Sequence, residues 1–191
     1  MNKEQFYEYL KIILRFLNEI KQIRKYYSGT ETYSERKQLT DQFMTKYYYL
    51  YKLLRNYPDL KFDSEYKDFI KQSEDILGYL TTDLNRYISE LEDRTGSIFY
   101  SNEWEGIICP RRSAIEAVKE MYRGTSFERV YEGDDPEILD LDTEELDELI
   151  EMKGEKEGYL KENQIPREIP ASHWWWWSPN EPPDYVREDD E

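Results

Sequence analysis

The chain has 191 residues, 42 acidic against 26 basic, and a formal charge of −16 at pH 7. Its mean hydropathy is −0.96, and no run of about 20 apolar residues exists to span a bilayer. One cysteine, Cys109, excludes an internal disulfide and fits a reducing cytosol, and Met1-Asn2-Lys3-Glu4 lacks the pattern of a secretion signal.

Residues 4–27 carry Phe6, Leu10, Ile13, Leu17 and Ile20 at alternating spacings of four and three, widened by Tyr9, Ile12, Phe16 and Ile23. That period predicts an amphipathic helix, with Gly29 as its stop. Thr32 and Glu35 have the spacing of a capping box, so a second helix is predicted to run to about Tyr57, before Pro58. Leu39, Phe43, Tyr47, Leu50 and Leu54 form its inward stripe. Tyr47-Tyr48-Tyr49-Leu50-Tyr51 surrounds that helix, so some rings must face outward, as a half-buried rim or as a partner surface.

Asp63 or Ser64 caps a predicted third helix that continues to about Arg94, along Phe69, Ile70, Ile76, Leu77, Leu80, Leu84, Ile88 and Leu91. Three long amphipathic helices with short connections predict an all-α fold, an antiparallel three-helix bundle. Residues 97–108 hold two short apolar runs around Trp104, which predict a small hairpin or an extended cover ended by Pro110. Ser113 and Glu116 have capping-box spacing, and open a predicted fourth short helix that Gly124 closes. Ile115, Val118, Met121 and Tyr122 would dock it. These elements make up a bundle domain over residues 1–131.

Charge is unevenly spread along the chain. Residues 1–131 hold 21 acidic and 21 basic side chains, whereas residues 132–162 hold 14 acidic and 3 basic. This layout disfavours direct binding to a phosphate backbone, which requires clustered Lys and Arg. Within the acidic segment a short helix is predicted from Thr143, with Leu146, Leu149 and Ile150 as an apolar edge. From Gly154 onward the composition predicts little regular structure. The tail, residues 163–191, carries prolines at 166, 170, 179, 182 and 183 around His173-Trp174-Trp175-Trp176-Trp177. The prolines predict an extended strand for it. Four indoles in so polar a tail require a surface to cover them, since a buried aromatic ring removes 150–250 Å² from water. That surface belongs either to a partner or to the chain's own bundle.

Catalytic and metal chemistry have few residues to draw on. His173 is the only histidine and Cys109 the only thiol, so the usual zinc sets cannot assemble within one chain. A serine hydrolase triad would rest on His173, in a tail. Cys109-Pro110-Arg111-Arg112 suggests a phosphatase loop, but the arginine that such a loop needs six residues after its cysteine is Ile115 here. Asp140, Asp142, Glu144 and Glu151 occupy positions 1, 3, 5 and 12 of a calcium loop whose sixth position, normally glycine, is Glu145. No metal and no cofactor is expected.

The sequence therefore points to a non-enzymatic cytosolic protein-interaction module: an adaptor, assembly factor or inhibitor. The expected contact residues are His173 and Trp174 to Trp177 as anchors, with Asp140, Asp142, Glu144, Glu145, Asp147 and Glu148 as an electrostatic guide. The expected partner is another protein with a basic or aromatic-binding surface, with no direct contact to nucleic acid and no membrane span. The alternative is an acidic antagonist of a nucleic-acid-handling enzyme, its carboxylates mimicking phosphates.

Overall fold

Every regular element among the described residues is helical, as the 3.6-residue recurrence of apolar side chains requires. The computed structural model describes residues 3–26, 32–97, 103–127, 143–157, 160–167 and 169–177. Its α-helices are α1 (Lys3–Tyr26), α2 (Tyr33–Asn56), α3 (Ser64–Leu77), α4 (Thr81–Gly96), α5 (Cys109–Met121) and α6 (Glu144–Glu157). No described helix is long and apolar enough to cross a membrane. The chain gathers into two units, one of Met1–Tyr87 with Ala114–Leu141, the other of Ile88–Ser113 with Asp142–Glu191.

In the first unit α1 packs against α2 and α3. Phe6, Leu10, Ile13, Leu17 and Ile20 are all buried, as their spacing predicts. On α2 the buried face is wider than the expected stripe, because Thr40, Met44, Tyr48 and Tyr51 join Phe43, Tyr47, Leu50 and Leu54. Tyr49 is left outside. Thr32 stands at the N-cap of α2 but makes no capping hydrogen bond, so the expected box does not close. The cap expected at Asp63 does form, with its Oδ1 accepting the Glu65 N–H at 3.1 Å. Lys3 Nζ and Tyr7 Oη also bond Asp63 Oδ2, at 3.1 and 2.9 Å, tying the start of α1 to the start of α3.

The single long third helix is corrected: the chain breaks between Leu77 and Thr81. Two tightened turns make the break, with Tyr79 N–H bonded to the Ile76 carbonyl and Leu80 N–H to that of Leu77. Arg24 of α1 donates to the carbonyl of Tyr79 that the break sets free. The same arginine and Arg36 of α2 face Asp83, in the first turn of α4, at 3.5 and 3.6 Å. Leu77, Leu80 and Leu84 stay buried through the break, so the apolar pattern reads as continuous where the backbone is not.

The hairpin over 97–108 is likewise corrected. Residues 98–102 lie outside the described part, but Trp104–Ile108 forms a wide π turn that feeds straight into α5. Helix α5 therefore starts at Cys109 and not at Ser113, with Pro110 as its second residue. Gly124, at φ +81°, follows the helix in the left-handed region that glycine occupies readily. Further on, α6 runs past Gly154 to Glu157. Beyond it, the described residues hold only short 3₁₀ turns, at Glu162–Gln164 and Trp174–Trp176, and residues 178–191 lie outside the described part.

Candidate functional site

Two features of the second unit concentrate its chemistry, and the first is centred on the tryptophan run. The prolines do not hold this run extended, as the sequence suggested. Pro166 and Pro170 instead open tight turns, their carbonyls accepting from Ile169 N–H at 3.1 Å and His173 N–H at 3.0 Å. The 3₁₀ turn follows directly, with Trp176 N–H on the His173 carbonyl and Trp177 N–H on that of Trp174. Trp175, Trp176 and Trp177 are 1%, 2% and 6% exposed, His173 is fully buried, and Trp174 is half-buried.

One hydroxyl organises these rings. Ser113 Oγ, itself fully buried, accepts from Trp175 Nε1 at 3.0 Å and Trp176 Nε1 at 2.8 Å. It lies 3.0 Å from His173 Nδ1. A serine hydroxyl has one proton and two lone pairs, and an indole N–H only donates. Both lone pairs are therefore taken, and the Ser113 proton goes to His173. That bond defines the imidazole as the neutral tautomer with an acceptor at Nδ1.

Trp175 is the most enclosed of the four. Its carbonyl accepts from Trp104 Nε1 at 3.3 Å and from the Cys109 thiol at 3.4 Å. His173 stacks on its ring at 4.6 Å between centroids, and the Arg112 guanidinium lies 4.2 Å from the ring centre. Arg112 in turn grips Asp147 of α6 in a two-point contact, Nε to Oδ1 at 2.6 Å and Nη2 to Oδ2 at 2.9 Å. The turn packs against α6.

The geometry of this cluster is that of a structural hub. Ser113 Oγ has no lone pair left for nucleophilic attack, and its surroundings admit no solvent. Burial, then the charge of Glu105, pushes the Cys109 thiol up, so it stays protonated and donates to a carbonyl. Arg112 holds Asp147, not the anion of a phosphatase loop. Among the described residues no three His, Cys, Asp or Glu side chains converge as a metal site.

The second feature is the outer face of α6. Leu146 and Ile150 are buried, while Glu144, Glu145, Glu148 and Glu151 are exposed. At 100° per residue Glu144, Glu148 and Glu151 lie one above another, with Glu145 beside them. Met152, 44% exposed, stands on the same face. Asp147 is the exception among the expected guide residues, since its carboxylate turns inward to Arg112. Asp140 and Asp142 lie outside the described residues.

Sequence reasoning missed Ser113, Arg112, Cys109 and Trp104 as partners of the tryptophan run. A signal was present: Cys109 and Ser113 are small side chains four residues apart, hence on one helix face with room for large rings. No known protein family, curated protein or solved structure matches the chain.

Proposed function

We propose that the chain is a non-enzymatic, cytosolic protein-interaction module, a helical bundle that presents the outer face of α6 to a partner with a basic surface. The observation that carries this reading is the stripe of Glu144, Glu148 and Glu151 around the exposed Met152. Carboxylates alone make a solvated face. An exposed thioether among them offers a partner apolar area to cover as well as charge to pair. The Arg112–Asp147 contact and the packing of the tryptophan turn on α6 support it by holding the helix rigid. Trp174, the ring of the run that is least covered, sits in that same turn and supplies a further apolar contact.

A partner that handles nucleic acid is the second reading. Along α6, Glu144 and Glu148 are about 6 Å apart, and Glu148 and Glu151 about 4.5 Å. This regular row of negative charge suits a basic cleft. Both readings require binding that weakens steeply with salt.

The test is affinity capture with the intact chain and with a Glu144→Gln/Glu148→Gln/Glu151→Gln variant, at low and high salt. The expected outcome is a partner held by the intact chain at low salt and lost in the variant, whose helicity is unchanged. An identical set of partners from both proteins would overturn the assignment.

A further inference from the structure

We propose that Ser113 and His173 form a proton-operated latch, which stores the tryptophan run at neutral pH and releases it in mild acid. The inference rests on hydrogen-bond stoichiometry at one atom and does not depend on the acidic face of α6. In the latched state the Ser113 hydroxyl donates to His173 Nδ1 and accepts from two indoles. The neutral imidazole already carries its proton on Nε2, so a proton arriving from solvent adds to the Nδ1 lone pair. Nδ1–H then points at an oxygen whose two lone pairs are both occupied, and the Ser113 proton loses its acceptor. Three donors then compete for two lone pairs, inside a cluster closed to water. At least one bond must break, and the charged ring must also leave its buried place.

Among the described residues, the charged groups Arg112, Asp147 and Glu105 add no new acceptor for the ring. From α5 the Arg112 guanidinium lies over the same Trp175 ring on which His173 stacks, so it adds a like charge. From α6 Asp147 is engaged with both Arg112 nitrogens, and Thr143 Oγ1 reaches it at 3.3 Å. From the π turn Glu105 is exposed and bonded by Gln164 Nε2 at 3.1 Å. Cys109 donates to the Trp175 carbonyl. In the released tail the imidazole meets water, which solvates its charged form. Acid therefore favours release, and neutral pH favours the latched state.

The chain carries its own probes for this step, a single histidine and five tryptophans. Tryptophan emission, acrylamide quenching and far-ultraviolet circular dichroism are followed on the full chain from pH 8 to pH 5. The imidazole proton resonance is followed in parallel. The expected result is a reversible red shift with increased quenching, at the midpoint where the imidazole titrates, and with helicity retained. In His173→Asn, which keeps an uncharged acceptor near Nδ1, emission should not change over this range. An emission flat from pH 8 to pH 5, or one that moves at a pH where the imidazole does not, overturns the proposal. So does a His173→Asn protein with the wild-type midpoint. If that variant does not fold, the coincidence of resonance and emission in the native chain still decides the matter.

Discussion

Each unit of the molecule is organised around one fully buried serine hydroxyl among aromatic rings, yet the two clusters are wired differently. In the first unit Ser73 Oγ donates to the Phe69 carbonyl at 2.6 Å and lies 2.5 Å from Tyr122 Oη, which is itself 2.5 Å from Tyr47 Oη. The Phe69 carbonyl only accepts, so Tyr122 donates to Ser73 and Tyr47 to Tyr122, and each hydroxyl supplies one donor and one acceptor to the chain. Desolvation is the first reason that the tyrosine hydroxyls titrate far above their ordinary value, and the chain stays neutral. In the second unit the rings are indoles, which only donate, and Ser113 is their shared acceptor. All five tryptophans fall in this unit and most of the eighteen tyrosines in the other, so the wiring follows from which aromatic each unit uses. A tyrosine network distributes its dependence over several hydroxyls, whereas an indole network concentrates it on one oxygen.

The two serines differ most when each is removed in turn. Ser113→Ala leaves two buried indole N–H groups unsatisfied, each at about 1–3 kcal/mol, so a loss of about 2–6 kcal/mol is expected. Ser73→Ala strands a single hydroxyl, for about 1–3 kcal/mol. Denaturant unfolding followed by tryptophan emission and by circular dichroism measures both. Equal losses would mean that the wiring does not matter.

Asp147→Ala is expected to come next. It leaves the Arg112 guanidinium buried over Trp175 without its carboxylate, for about 3 kcal/mol by analogy with other broken buried pairs. Urea titrations at low and high salt check this, because a two-point contact to a buried arginine resists screening better than an exposed pair does. A loss that disappears in high salt would make the contact a surface one.

The smallest effect concerns the first unit alone. A hydrogen bond with the Glu65 side chain, followed by those from Lys3 and Tyr7, holds the Asp63 carboxyl at about 2, against its ordinary 3.8. A depressed carboxylate stabilises the fold above its ordinary pKa and loses that contribution as pH falls through the depressed one. Asp63→Asn should therefore lower the melting temperature at neutral pH and flatten its decline between about pH 4 and pH 2. Thermal melts across that interval provide the measurement. An unchanged acid limb would remove Asp63 from the account.

Much of the helical layout was legible in the sequence, for a local reason. The burial of Phe6 through Ile20 follows from a period that any helix must obey, and the Asp63 cap follows from a backbone amide two residues away. The break between α3 and α4 was not legible, because the group that accommodates it, Arg24, lies 55 residues before the carbonyl it bonds. Ser113 was misread for a related reason. Its capping-box spacing with Glu116 is real, but the preceding π turn starts the helix earlier and turns the hydroxyl to another use. The rings it serves are 60 to 63 residues away.

By itself, the sequence determined that this chain is helical, where its inward stripes lie, that α6 carries an acidic face, and that four indoles require cover. Those properties depend on side-chain type and on spacings within a few turns, which a linear chain states directly. Only the tertiary structure decided that three of those indoles are covered by their own unit, that Ser113 is their acceptor, and that Asp147 turns inward to Arg112. Each of these depends on donors and acceptors brought together by chain reversals, and no local period encodes which distant group will arrive opposite a given atom.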